Sequence, residues 1–431
     1  MKKSAFWVVY GLLLVAVAVG GLEFLASFWT PPWPARDLRP IEASAASVAG
    51  MRALASRPDL IPSYNNWGLR DRERTFDRPA NVHFRAVLVG DSFLEGLFVP
   101  TPLGSFVEKD WASRGIGDSE AINLGVSATG PIQYYYRIKK IALKLQPDVI
   151  LELFYSGNDF VSDGLSSWSI PPIVAERPNP SILGAVAPDL DWLLVNRLGL
   201  SEFGHANKPI RNEFDILNDI VTRPRDQRAG LLADYLHKNY FPDKNIETIR
   251  EILGRGGDAF WAPFEDKGGD PVFLQGWLLS TIIGWETGTW TVPHDSGEAD
   301  RMVDPAQIDA TLSWLVGADK LAAANGIKFL IAVAPMASVD PRYTEFWKPW
   351  PRFYSWNLER EADRRRLLSE LRRRGLQPID LAQDLNGVSG SYHLTDGHWS
   401  TLGTEIVAKR IAAELAKVRE QLAADRRATA R

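Results

Sequence analysis

The stretch Ala86-Val87-Leu88-Val89-Gly90-Asp91-Ser92-Phe93 decides how this chain is read. Four apolar residues, two of them β-branched, predict a short buried strand. The strand breaks at Gly90-Asp91-Ser92. A hydroxyl at the carboxyl end of a buried strand projects into the crevice where open α/β sheets hold their ligands. The same tripeptide also reads as a turn feeding a helix N-cap, because Asp and Ser both accept from orphan N–H groups. The rest of the chain has to decide between the two.

Downstream, strand and helix patterns alternate. Pro102 to Gly115 has helical spacing, and Ala121-Ile122-Asn123-Leu124-Gly125 reads as a second strand ending in Gly. Pro131 to Leu145 reads as a helix with Tyr135, Ile138, Ile141, Ala142 and Leu145 on one face. A third strand, Asp148 to Phe154, ends in Ser156-Gly157-Asn158-Asp159. Such alternation predicts a parallel sheet covered by helices on both faces. It then stops from Phe160 to Pro305, too long for a structureless loop in a compact domain. Isolated helices are expected there at Arg228 to His237 and Asn245 to Leu253. The stretch reads as an inserted cap over the carboxyl edge of the sheet. The pattern resumes with a helix at Ala306 to Ala324 and a strand at Ile327 to Val333. An amphipathic helix, Glu359 to Arg374, comes next with its arginines on the wet face. A short strand at Gln377 to Leu381 and a closing helix from Thr401 to Ala424 complete the body.

At the other end, Lys2 and Lys3 precede an uncharged apolar run from Ala5 to Leu22. As a helix it reaches about 27 Å, near the hydrocarbon thickness of a bilayer. The lysines keep the N-terminus in the cytoplasm and send the rest of the chain outward. An uncleaved signal anchor competes with a secretory signal cut near Ala16-Val17-Ala18. The length of the run and the bulky residues after Glu23 favour the anchor. Trp29 and Trp33 would then sit at the far interface. Thr30 to Pro40 contains four prolines and reads as a stiff stem. Ile41 to Leu60 is Ala- and Ser-rich, and the charged stretch up to Arg78 reads as a solvated loop. The expected organisation is a membrane helix (1–29), a stem and extension (30–81), a first body part (82–159), the inserted cap (160–305) and a second body part (306–425).

Composition narrows the function. The chain has 431 residues, a net charge of −4 and no cysteine. The charge gives no basic stripe for nucleic acid, and the absence of cysteine excludes thiol nucleophiles, disulfides and Cys-based metal sites. His205, His237 and His294 are too scattered for typical metal-ligand spacing, so no metal and no cofactor is expected. Sixteen tryptophans fit either a core or carbohydrate platforms.

Small or polar residues now stand at three strand ends, Ser92, Gly125 and Asn158. Asp396-Gly397-His398-Trp399 precedes the last helix. A serine needs a base within hydrogen-bond reach to become a nucleophile, and His398 is placed for that. His393 is the alternative base. Asp396, two residues before His398, points to the same side of an extended segment and can hold Nδ1–H. Backbone N–H groups of Ser92 and Gly125 and the Asn158 amide would form an oxyanion hole. Asp91 reads as a turn residue, Asp159 as a helix cap, His83 as structural, and Trp399 as either core or substrate wall.

With these pieces in place the chain resembles the SGNH (GDSL-type) hydrolase superfamily. The resemblance rests on Gly90-Asp91-Ser92-Phe93, Asn123-Leu124-Gly125, Ser156-Gly157-Asn158-Asp159 and Asp396-Gly397-His398-Trp399, in the family's order. It covers Val82 to Val161 and Gly326 to about Lys417, and leaves out the insert. It implies a flavodoxin-like five-stranded parallel sheet, no metal, and a Ser92–His398–Asp396 site with Ser92, Gly125 and Asn158 as oxyanion donors. Two positions depart from the family pattern. Ser156 stands where Gly is usual, and the last motif is Asp-x-His instead of Asp-x-x-His. The shorter spacing resembles membrane-associated members that move acetyl groups on bacterial exopolysaccharides. The expected function is therefore an inner-membrane, single-pass, extracytoplasmic (periplasmic) serine esterase or O-acyltransferase on acylated carbohydrate. The other class is a non-catalytic glycan-binding protein of the envelope, which would need none of Ser92, His398 and Asp396.

Overall fold

The computed structural model describes residues 2–29, 64–127, 129–161 and 213–429, apart from a few positions (66, 68, 266–271, 273, 275 and 289–290), together with isolated residues between 186 and 194. The expected stem, the Ala- and Ser-rich stretch, Trp33, His205 and much of the first half of the insert lie outside the described residues.

A long apolar helix, α1 (Lys2–Ala26), comes first. The body starts at β1 (Phe84–Gly90), every residue of which is buried. There follow α2 (Ser92–Glu95), α3 (Leu103–Ser113), β2 (Ser119–Gly125), α4 (Pro131–Lys140) and β3 (Val149–Tyr155). The insert supplies α5 (Glu213–Thr222), α6 (Arg225–Asn239), α7 (Ile246–Gly254), α8 (Gly257–Glu265), α9 (Gly276–Glu286) and α10 (Ser296–Met302). The closing part is α11 (Pro305–Ala324), β4 (Lys328–Ala334), α12 (Pro341–Trp347), α13 (Pro351–Arg373), β5 (Ile379–Asp380), α14 (Ala382–Leu385) and α15 (Thr401–Thr429).

The five strands form one parallel sheet in the order β2-β1-β3-β4-β5. This is the flavodoxin-like arrangement. Side chains of β1 alternate between two cores. Ala86 and Leu88 join Trp111 of α3 and Ile411 and Leu415 of α15 on one face. Val87 and Val89 join Tyr134 and Ile138 of α4 and Ala318 and Ala322 of α11 on the other. Burial on both faces explains the near-continuous apolar run that marked the strand in sequence.

Three expectations need correcting. The inward residue of α4 is Tyr134, and Tyr135 is only half-buried against Trp314. The helix stops at Lys140 and gives way to a 3₁₀ turn over Ala142–Leu145, which shifts its facing. The charged stretch before Arg78 is solvated only in part, with Arg72, Glu73 and Asp77 exposed. Arg74 is buried and binds Asp71, Glu108 and Glu120, while Arg70 donates to the carbonyls of Gly96 and Val99. Nor are all arginines of α13 on a wet face. Arg364 is buried and held by Glu361 and Asp380.

The insert packs on α12 and α13, which come after β4. Phe260 of α8 stacks on Phe346 with ring centroids 5.5 Å apart, and Trp285 of α9 stacks on Trp356 at 4.6 Å. The Trp350 indole N–H donates to the Ile252 carbonyl at 2.9 Å. Insert and sheet share one continuous apolar cluster.

Candidate active site

Register places the site. Gly90 pairs with Gly125 at the carboxyl ends of β1 and β2, and β3 ends beside them at Tyr155. Ser92 opens α2 immediately after the Asp91 turn. The Asp91 carboxylate caps that helix by accepting the Phe93 N–H at 2.9 Å. The N-cap reading therefore belongs to Asp91, which leaves the Ser92 hydroxyl free of that duty.

The histidine arrives from the far end of the chain. Tyr392 and Trp399 bridge antiparallel, the His393 N–H donates to the His398 carbonyl at 2.8 Å, and the Gly397 N–H donates to the His393 carbonyl at 3.2 Å. A tight loop results, with Gly397 at φ +80°, a left-handed conformation that favours glycine. Asp396 and His398 thus meet through a turn and not through an extended segment. The His398 Nδ1 is bonded to Asp396 Oδ1, and Nε2 lies 2.7 Å from Ser92 Oγ. Phe93 lies against the imidazole with centroids 4.7 Å apart, and Phe98 meets it edge-on at 5.9 Å. Phe98 holds a φ of +64°, a strained conformation for a bulky residue. Trp399 is a core residue set edge-on behind Phe93 at 4.9 Å.

Burial alone would lower the His398 pKa. The Asp396 charge and hydrogen bond, followed by Asp91 and Glu95, outweigh it, and the net shift is upward. Burial pushes the Asp91 carboxyl up to about 6 despite the Phe93 N–H and the nearby imidazole.

Of the expected oxyanion donors, Ser92 stands at the first position of α2, where its N–H has no acceptor within the helix. Asn158 lies exposed in the turn after β3. Gly125 does not fit the expectation. Its N–H already donates to Asn123 Oδ1 at 2.8 Å. A Cβ there would lie 2.4 Å from the Glu95 nitrogen and 2.7 Å from the Leu94 carbonyl carbon, so the glycine admits α2 against β2. Asn123 completes that joint, donating to the Leu94 carbonyl at 2.9 Å. Among the described residues Asp159 serves the turn, and any helix it would cap after Val161 lies outside them. It accepts from the Tyr155 N–H at 2.7 Å and from the Tyr134 hydroxyl, and so closes the β3 turn.

Two site residues carry no motif signal. Glu95 accepts the Ser127 N–H at 2.7 Å and the Tyr64 hydroxyl at 2.6 Å, tying three segments behind the nucleophile. Arg137 of α4, fully inside, donates to the Gly90 and Leu124 carbonyls at 3.0 Å each and clamps the ends of β1 and β2. An arginine on the apolar side of a helix, one turn after Tyr134, is the only sequence hint. A cleft of about 1110 Å³ lies between α8 and α12, lined by Arg255, Phe260, Arg342, Phe346, Lys348 and Leu394 among others. It borders the histidine loop, since Arg342 holds the Tyr392 carbonyl at 3.0 Å and Trp347 the Leu394 carbonyl at 2.7 Å.

Residues 295–430 match the family described as an SGNH hydrolase-like domain, acetyltransferase AlgX. The match takes in about a third of the chain and identifies an SGNH hydrolase-like domain in that region. The matched region contains the Asp396–His398 loop, and Ser92 lies before it. Similar solved structures include a GDSL-like lipase of Bacteroides thetaiotaomicron, 11% identical, covering 79% of this chain and 92% of that one at a TM-score of 0.33. Another is a protein of Bacteroides fragilis assigned as an acylhydrolase, 10% identical, covering 79% and 91% at a TM-score of 0.33. No curated protein matches the sequence.

Proposed function

We propose that this chain is a serine esterase or O-acyltransferase that works through an acyl-Ser92 intermediate on acylated glycans of the cell envelope. One observation carries the reading: His398 joins Ser92 Oγ through Nε2 while Asp396 holds its Nδ1. His398 takes the Ser92 proton as Oγ adds to the ester carbonyl. The developing oxyanion is met by the Ser92 N–H and the Asn158 amide. Collapse breaks the ester C–O bond, and His398 returns its proton to the leaving alkoxide. Water or a sugar hydroxyl, deprotonated by the same imidazole, then attacks the acyl-enzyme and releases Ser92. Asp396 stays ionised and stabilises the imidazolium.

A glycan substrate is supported by the cleft beside the histidine loop, which presents Arg255, Arg342 and Lys348 next to Phe260 and Phe346. The proposed location is supported by α1, which is long and apolar enough to cross a membrane. With Lys2 and Lys3 inside, the body is held on the outer side of the inner membrane.

The test is hydrolysis of a short acyl ester by the detergent-solubilised full chain. A burst followed by a slow phase that added acceptor oligosaccharide accelerates supports transfer, and a slow phase indifferent to oligosaccharide supports hydrolysis. Full activity in Ser92→Ala, or none in the native chain across acyl lengths, overturns the assignment.

A further inference from the structure

The apolar window of α1, Val9–Ala26, contains one acidic residue, Glu23. A carboxylate within such a span is costly unless partnered, and when present it marks a function. Glu23 is partnered. Its Oε1 accepts the Asp189 N–H at 2.9 Å and its Oε2 accepts the Leu190 N–H at 2.7 Å. Both donors are helical residues of the insert. Packing supports the contact. Ala26 is 2% exposed and Ala187 is fully buried, whereas almost all the rest of the α1 window is bare. Beside the contact, Val186 is 66% exposed, and Leu190, Leu193 and Leu194 are half-buried.

An apolar piece that touches a membrane helix at its outward end, next to the bare Phe24, Leu25, Phe28 and Trp29, lies at the level of the lipid headgroups. We infer that the described insert residues Val186, Ala187, Asp189, Leu190, Leu193 and Leu194 belong to a membrane-docking element, latched to α1 through Glu23 and seated in the headgroup–acyl boundary. The catalytic body is then held against the membrane by a second contact besides the chain connection itself. The inference depends on α1 being a retained anchor, as proposed above.

The chain has no cysteine, so single thiols can be placed at will. Full-length protein in native membranes is first washed with carbonate and its intact mass measured. Loss of residues 1–29, or release of the chain, overturns the anchor reading and this inference with it. With retention established, Ala26→Cys and Ala187→Cys are combined and treated with a short bis-maleimide. The expected result is an intramolecular crosslink whose yield falls about five-fold or more when Glu23→Ala is added. That substitution removes a charge from the span and cannot weaken insertion. In parallel, Val186→Cys is labelled with an environment-sensitive fluorophore in vesicles containing headgroup-level spin-labelled lipid. Quenching supports docking. An undiminished crosslink in Glu23→Ala, or an unquenched label on a retained chain, overturns the docking while leaving the anchor reading intact.

Discussion

His398 Nε2 stands 2.7 Å from Ser92 Oγ, although 306 residues separate the two in sequence. Nothing local brings them together. Ser92 is fixed by the end of β1 and the Asp91 cap, and His398 by a loop that Trp347 and Arg342 brace from α12. Activity on an ester is therefore a sensitive report of the whole body.

Ser92→Ala is expected to lower kcat on a short acyl ester by at least about 10³-fold while leaving the melting temperature unchanged. Parallel rate measurements and thermal melts check this. A matching loss of stability would mean that the hydroxyl serves packing.

The pH profile tests Asp396. The imidazole must be neutral to accept the Ser92 proton, so kcat/KM rises with pH through the raised His398 pKa. Asp396→Asn removes the leading cause of the upward shift. The acid limb then moves to lower pH, and kcat falls by about 10²–10⁴-fold. A limb that stays in place assigns that titration to another group.

The two oxyanion expectations separate by stability. Asn158 is exposed, so Asn158→Ala is expected to cost about 10²-fold or more in kcat with an unchanged melt. Gly125→Ala keeps its N–H but drives a Cβ into the Leu94–Glu95 backbone, and it should destabilise by about 1–3 kcal/mol. A stable, inactive Gly125→Ala protein would argue against the packing role.

Glu152, in the middle of β3, is buried with neither carboxylate oxygen bonded. Burial pushes its pKa well up, and the charge of Arg137 only partly opposes this. The folded chain thus holds this proton more tightly than the unfolded chain. Its stabilising contribution is complete below the unfolded pKa and is lost as pH rises through the folded one. Glu152→Gln lacks this loss, so its melting-temperature advantage over the native chain should grow with pH. An advantage that shrinks toward alkaline pH would contradict the assignment.

Sheet and site were legible to different depths. The strands could be read because both faces of β1 and β3 are covered, leaving runs that are apolar except for Arg85 and Glu152. The Asp396–His398 pair could be read from its spacing, although its geometry depends on the left-handed Gly397 and not on an extended chain. Gly125 was misread because a glycine at a strand end looks open until α2 is laid against it. Arg74, in the charged stretch up to Arg78, looked solvated because its carboxylate partners Glu108 and Glu120 are distant in sequence. The packing of the insert was illegible for the same reason, since its aromatic residues are matched by others on α12 and α13.

The pairing of β3 with β4, from Val149↔Lys328 to Tyr155↔Ala334, has a consequence for how the chain is made. A chain emerging N-terminus first can build β2-β1-β3 and must then wait for the entire insert before β4 arrives. During that interval β3 is an open edge carrying Ile150, Leu151, Leu153 and Phe154, a template for pairing with another nascent chain. The aromatic surfaces of α8 and α9 are uncovered over much of the same interval. The protein is thus most vulnerable while it is being made, and a stall between residues 160 and 328 would yield aggregates before any complete sheet.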